Sequence, residues 1–352
     1  MSSKLKVKIG NKYIGNGEKI LIQSMTNTKT RDIAATVSQI KLLEKCGCEI
    51  VRVTVNDEEA AKAIDKIKEQ VKIPLVADIH FNHKMAIMAA ERGIDKIRIN
   101  PGNIGDIEKV RAVVNACKAK NIPIRIGVNG GSLPKDILEK YGLTAEGIVE
   151  AAKRQAEILE GLDFQDIVIS LKVSDVEKNI AAYTEASNIF PYPLHLGVTE
   201  AGTGYMGAVK NAIGIGTLLR SSIGDTLRVS LTENVETEIE VAKSILTATK
   251  KRPEWPEIIA CPTCGRTEID IISLTKEITE KTKHIEKNIK IAIMGCVVNG
   301  PGEAKDADIG IAGGKGQAVL FKKGETIKTI KEEEIIEILL KEIEKIECNR
   351  TD

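Results

Sequence analysis

Apolar positions along the chain alternate with polar ones in short runs, and between these runs they recur at helical spacing. The short runs predict strands at 21–26 (LIQSMT), 49–55 (EIVRVTV), 73–80 (IPLVADIH) and 96–100 (KIRIN). Four more follow at 123–129 (PIRIGVN), 166–173 (DIVISLKV), 193–200 (PLHLGVTE) and 226–231 (TLRVSL). Amphipathic stretches such as 31–45 and 144–160 lie between them. Eight strands, each followed by a helix, predict an N-terminal (β/α)8 TIM-type barrel of about 250 residues. A doubly wound parallel sheet is the alternative, because alternation alone does not show closure. Residues 5–20 predict a hairpin that turns at Asn16-Gly17 and plugs the barrel floor.

The texture changes at 249–257, where TKKRPEWPE combines charge with two prolines and reads as a linker. Beyond it come an apolar run at 289–294, a Gly-rich stretch at 295–316 and a Glu/Lys/Ile helix from 331 to about 347. The expected division is a barrel over 1–250 and a smaller α/β domain over 256–352.

Within the apolar strands sit cations. The chain has only 12 arginines, yet Arg52, Arg98, Arg125 and Arg228 all interrupt strands. Side chains alternate across a strand. Val51, Val53 and Val55 share one face, which leaves Arg52 and Thr54 on the other. The same parity groups Arg98 with Asn100, Arg125 with Asn129, Ser170 with Lys172 and Arg228 with Ser230. It also groups Asp78 with His80, and His195 with Thr199. If the apolar face packs on the helices, the polar face points inward, toward the mouth where barrel active sites lie. Internal ion pairing is the structural reading, but the inward acids are few: Asp78, and Glu200 at a strand end. Unpaired buried cations are costly, so a multiply charged anion should complete the site, and arginine's planar fork suits phosphate. Asn129-Gly-Gly-Ser132 offers further backbone donors. Gly202-Thr-Gly204-Tyr-Met-Gly207 matches a dinucleotide fingerprint, but Asp225 precedes the next strand instead of ending it. We read that segment as a flexible loop at the mouth.

Cys261-x2-Cys264 with Cys296 is the second chemical signal. A zinc ribbon needs a second C-x2-C, which the chain lacks. Three thiolates suit an iron–sulfur cluster, with structural zinc as the alternative. Fourth-ligand candidates are Glu303, His284 and Cys348. Cys348 lies in the tail and His284 in a charged helix, whereas Glu303 ends a Gly-rich segment close to Cys296. Cys46, Cys48 and Cys117 read as core packing.

Composition narrows the classes. Fifty-one basic residues face 50 acidic ones, so no global field seeks a polyanion. One Trp, five Tyr and four Phe are few for base stacking, and nucleic acid is not an expected partner. No apolar run approaches the ~18 residues of a membrane span, and the N-terminus has no apolar signal core. Seven cysteines, an odd number, suit a reducing cytoplasmic compartment.

Cys261-Pro-Thr-Cys264-Gly-Arg, Gly295-Cys296-Val-Val-Asn299-Gly-Pro-Gly-Glu303 and GVTEAGTG at 197–204 together resemble the 4-hydroxy-3-methylbut-2-enyl diphosphate synthase family, in its short two-domain bacterial form. The resemblance spans nearly the whole chain. It implies a 4Fe–4S cluster on Cys261, Cys264, Cys296 and Glu303. The implied reaction is two-electron ring opening and dehydroxylation of 2-C-methyl-D-erythritol 2,4-cyclodiphosphate, with flavodoxin or ferredoxin as donor. Arg52, Arg98, Arg125, Asn129, Lys172, Arg228 and Ser230 match diphosphate-contacting positions. Thr199 and Glu200 match mouth residues, with Glu200 as proton donor, and Asn299 reaches over from the cluster domain. Asp78, His80 and His195 are weaker candidates. Lys305, Lys315, Lys322 and Lys323 offer a docking face for an acidic electron carrier. The short linker and the family both point to a homodimer in which each cluster domain caps the partner's barrel. A pterin-synthase-type barrel transferase with a structural metal is the competing function.

Overall fold

The structure is a computed structural model that describes residues 3–297, 302 and 304–346. It divides into two compact units, 1–245 and 246–352. The linker expected at 249–257 therefore falls inside the second unit. There Arg252 is buried over the ring of the buried Trp255, 4.7 Å from its centre.

The first unit opens with a hairpin, β1 (Val7–Ile9) and β2 (Lys12–Ile14). It turns at Gly10-Asn11, not at Asn16-Gly17. Asn16 and Gly17 do take left-handed φ values of 50° and 82°, but they turn the chain after β2. Val7, Ile9 and Ile14 pack with Leu21, Ile50, Val76 and Val168, all at or near the starts of their strands. The hairpin thus seals the floor of the barrel, as expected.

Eight parallel strands follow: β3 (Leu21–Met25), β4 (Ile50–Thr54), β5 (Leu75–Asp78), β6 (Lys96–Ile99), β7 (Ile124–Asn129), β8 (Ile167–Lys172), β9 (His195–Leu196) and β10 (Thr226–Leu227). They pair in chain order, and β10 returns to β3. A parallel bridge between Ile169 and Leu194 joins β8 to the approach of β9. The sheet is therefore a barrel, and the doubly wound alternative is excluded. The last two strands keep only two ladder residues each, shorter than the pattern suggests. At Gly197, just past β9, a Cβ would stand 2.8 Å from Lys172 Nζ and 2.9 Å from the Arg228 carbonyl oxygen. The regular ladder stops where an inward lysine needs that space.

The helices begin where the sequence supplies caps. Asp32 caps Ile33–Cys46 and Thr144 caps Ala145–Glu160. Gly47, at φ 98°, ends the first of these, with Cys48 buried just beyond. Cys117 is buried as expected, but Cys46 is only half-buried. The glycine-rich mouth segment is a loop only as far as Thr203, because Gly204–Arg220 is helical.

The second unit is a five-stranded sheet in the order β11 (Glu257–Ala260), β12 (Lys290–Met294), β13 (Ile309–Gly314), β14 (Gln317–Lys322) and β15 (Glu325–Lys331). Its first three strands are parallel and its last two antiparallel. Strand β12 alternates cleanly. Ile291 and Ile293 enter a core with Ile278 and Leu339, while Ala292 and Met294 pack with Phe321 on the other face. The final helix runs from Ile335 to Glu344. It begins later than the expected 331, because Lys331 ends β15 and Glu332–Glu334 form a 3-10 turn before it. Among the described residues no helix is long and apolar enough to cross a membrane.

Candidate active site

The cations on the polar strand faces do point inward, as expected. A cavity in the barrel is lined by Arg52, Asp78, His80, Arg98, Arg125, Asn129, Ser170, Lys172, Thr199, Arg228 and Ser230. Each comes from the polar face of a strand or from the residues just beyond its C-terminal end. Glu200 is exposed and does not line the cavity; its backbone takes a left-handed φ of 53° beside Thr199.

Asp78 is the acidic hub. It is buried, and its Oδ1 accepts from Arg98 Nη1 at 3.2 Å. Its Oδ2 lies 3.8 Å from Arg52 Nε and 3.7 Å from His80 Nε2. Burial alone would raise this carboxyl's pKa, but Arg52, Arg98, His80 and Arg125 together hold it below the ordinary carboxylate value. Arg98 also donates to the Gly127 carbonyl oxygen at 3.3 Å.

A second acid was not visible in the strands. Glu238, on the helix Val235–Ala248, is buried and reaches the barrel. Its Oε1 lies 3.4 Å from Arg228 Nη2 and accepts the Leu231 N–H at 3.1 Å, while Ser24 Oγ donates to its Oε2 at 3.0 Å. Met25 adds its sulfur, 2.8 Å from Arg52 Nη2.

Two buried carboxylates thus face five cations. Burial first, then mutual repulsion among the cations, pushes the pKa of Lys172 well below its ordinary value. Arg52 is lowered by the same order of causes, to about 10, against the pull of Asp78. Buried nitrogens, Arg125 Nε and Arg228 Nε among them, also lack partners among the described residues. A site with surplus cations and unused donors is built for an anion with several oxygens.

Below this ring lies a polar layer that the parity reading noticed only at His195. The imidazole is fully buried, with Nδ1 2.8 Å from Thr226 Oγ1. Burial, then Arg125, Lys172 and Lys96, keeps it neutral by pushing its pKa well down. It does not line the cavity and belongs to the barrel's interior packing.

In the second unit, Cys261 directly follows β11 and Cys296 lies two residues beyond β12, its parallel neighbour. Cys261 Sγ accepts the Gly295 N–H at 3.2 Å. Glu268 N donates to the Gly295 carbonyl oxygen at 2.9 Å, and Thr267 N donates to the Cys264 carbonyl oxygen at 3.0 Å. The turn carrying Cys264 is therefore tied to the strand end that leads to Cys296. All three are free thiols, with Cys264 exposed. The donor chemistry fits an iron–sulfur group, since soft thiols follow the C-terminal ends of two neighbouring parallel strands. Among the described residues no three His, Cys, Asp or Glu side chains form a finished metal-holding group. Asn299, Glu303 and Cys348 lie outside the described residues. His284 is exposed as expected, but it stands in the turn just after the helix Ile271–Thr282 and not in a helix. Of the four candidate docking lysines, Lys322 is held by Glu342 at 2.5 Å.

Comparison with known proteins adds two findings. Residues 4–243 match the family model described as GcpE TIM-barrel domain, and residues 257–345 match GcpE protein C-terminal domain. Relatives named 4-hydroxy-3-methylbut-2-en-1-yl diphosphate synthase (flavodoxin) align over almost the whole chain. The one from Clostridium perfringens is 58% identical over 97% of this chain and 98% of its own. That from Caldanaerobacter subterraneus is 58% identical over 97% and 96%, and that from Bacillus cereus 54% over 97% and 92%. Among solved structures, dihydropteroate synthase from Yersinia pestis superposes with TM-score 0.51 at 9% identity, covering 70% of this chain and 100% of that one. The Stenotrophomonas maltophilia enzyme gives 0.51 at 12% identity, covering 70% and 98%.

Proposed function

The chain belongs to the GcpE family, and from that membership we propose that it forms 4-hydroxy-3-methylbut-2-en-1-yl diphosphate reductively, with flavodoxin supplying the electrons. It is an oxidoreductase of isoprenoid biosynthesis. The competing transferase reading falls with that membership, because the likeness to dihydropteroate synthases is one of fold alone.

The substrate we propose is 2-C-methyl-D-erythritol 2,4-cyclodiphosphate. Two electrons and two protons open its ring, expel one hydroxyl as water and leave an alkene carrying the intact diphosphate. The observation that carries this reading is the inward excess of cations over carboxylates in the barrel cavity. Arg52, Arg98, Arg125, Lys172 and Arg228 neutralise the diphosphate, and Asn129 and Ser230 add hydrogen bonds. Charge developing on the diphosphate as the ring C–O bond breaks meets donors already in place, so little reorganisation is needed. Asp78 and Glu238 orient Arg98 and Arg228. Thr199 and Glu200 stand at the mouth, toward the reacting carbons, and Glu200 delivers a proton to the departing hydroxyl.

The cofactor we propose is a 4Fe–4S cluster held by Cys261, Cys264, Cys296 and Glu303, with Asn299 contacting substrate from the same domain. When bound, the cluster supplies low-potential electrons one at a time. Ferredoxin is an alternative donor, and the lysines at 305, 315 and 323 offer it a basic face. We place the enzyme in the cytoplasm as a homodimer, each cluster domain serving the partner's barrel. Anaerobic turnover of the cyclodiphosphate with a low-potential reductant tests the reading. The expected product is the linear alkenyl diphosphate. Cluster-loaded protein that binds substrate but never reduces it contradicts the assignment.

A further inference from the structure

Lys96 has no place in the chemistry above, and its surroundings are unusual. It is the first residue of β6, fully buried, and points into the barrel two residues below Arg98 on the same strand face. Two residues of strand put it about 6.6 Å nearer the floor. Its one side-chain hydrogen-bond partner among the described residues is the Gln23 amide oxygen, at 3.5 Å. That same oxygen accepts from Arg125 Nη1 at 3.2 Å. The charged and titratable groups around the amine are Arg125 from β7, Arg52 from β4 and the neutral His195 from β9. Asp78, from β5, is engaged by Arg98 and Arg52. Among the described residues no carboxylate pairs with Lys96. Gln23 Nε2, Arg125 Nε and His195 Nε2 are buried in the same interior without partners among the described residues.

A charged ammonium in that position is unpaired, dry and close to other cations, so the layer favours the free amine. An arriving dianion reverses the balance, because it places negative charge on Arg125, which shares the Gln23 oxygen with Lys96. We propose that Lys96 is a proton acceptor coupled to substrate binding: its amine takes up a proton from solvent when the cyclodiphosphate settles on the arginines above it. The Nζ lone pair forms the new N–H bond, and the resulting ammonium donates to Gln23 Oε1. Lys96 is thus a positioning residue that adjusts the charge beneath the anion without touching it. The inference rests on the diphosphate reading of the cavity.

Calorimetric titration of the full chain with the cyclodiphosphate, in two buffers of different ionisation enthalpy at pH 8, reads the coupling directly. Each phosphorus of the cyclic diphosphate carries one strongly acidic hydroxyl, so the ligand itself does not titrate there. Uptake approaching about one proton per site is expected by linkage, and Lys96→Met should still bind while losing that uptake. Gln23→Glu is a second route. A carboxylate beside Lys96 keeps it charged in the free protein, so binding should weaken and uptake vanish. Binding without proton exchange in the unmutated chain overturns the proposal. So does uptake that survives Lys96→Met, and its loss in Lys172→Met or His80→Gln would then name the true acceptor. Failure of the cyclodiphosphate to bind at all would instead remove the diphosphate reading.

Discussion

Gly127 and Arg98 fit together only because one of them has no side chain. A Cβ on Gly127 would stand 2.3 Å from Arg98 Nε and 2.7 Å from its Nη2. The guanidinium lies across that bare backbone to reach Asp78. Gly127→Ala must push it off, at a cost of about 1–3 kcal/mol shared between stability and anion affinity. Denaturant unfolding and substrate titration of this variant check it. Unchanged values for both would mean that Arg98 has another way to lie.

Glu238 and Arg228 should behave as a unit. Glu238→Gln leaves the volume but removes the charge that holds Arg228, and should weaken substrate binding by about 1 kcal/mol. In a double-mutant cycle, adding Glu238→Gln to Arg228→Ala should cost almost nothing more in affinity. Full additivity would show that Glu238 acts independently of the arginine.

Asp78 gives a pH signature. Its pKa is depressed in the folded state, so its contribution is present above the unfolded carboxylate pKa and fades as pH falls through the folded value. Asp78→Asn should therefore lose about 3–5 kcal/mol at pH 7, the range for breaking a buried pair. The gap to the unmutated chain should narrow in acid. A gap that stays constant from pH 7 down to pH 3 would remove the ion-pair explanation.

The thiols divide into two groups. Cys261→Ser, Cys264→Ser and Cys296→Ser should each lose iron and sulfide, because serine is a poor ligand for the cluster. Cys46→Ser, Cys48→Ser and Cys117→Ser should keep both. Cys48 and Cys117 are buried, which raises each thiol to about 12, so neither offers a thiolate. Iron and acid-labile sulfide analysis after anaerobic purification decides, and a full cluster in Cys296→Ser would exclude that ligand.

The barrel and its inward cations were legible because strand parity is a strict geometric rule, and a cation between two valines has only one face to occupy. What parity misses comes from elsewhere in the chain. Glu238 reaches the site from a helix, where period two says nothing. Gly127 and Gly197 matter for the atoms they lack, and only the positions of Arg98 and Lys172 reveal that. Lys96 shares the face of Arg98 by the same rule, but it is the first residue of its strand, where parity alone does not tell a buried side chain from an exposed one. The hairpin turn was misplaced because Asn16-Gly17 and Gly10-Asn11 are both good turn pairs, and only the pairing of Val7 with Ile14 selects the latter. The final helix was begun four residues early, because the turn Glu332–Glu334 that leads into it has the same charged composition as the helix itself.

The central claim is that the barrel's inward cations exist to bind a diphosphate. Calorimetric titration of the cyclodiphosphate into Arg125→Ala and Arg228→Ala tests it most directly. Each variant should stay folded and lose about 2–5 kcal/mol of binding free energy, the range for removing one partner of a desolvated charge pair. Variants that bind substrate as the unmutated chain does, yet unfold at lower denaturant, would make the arginines a structural network and contradict the account.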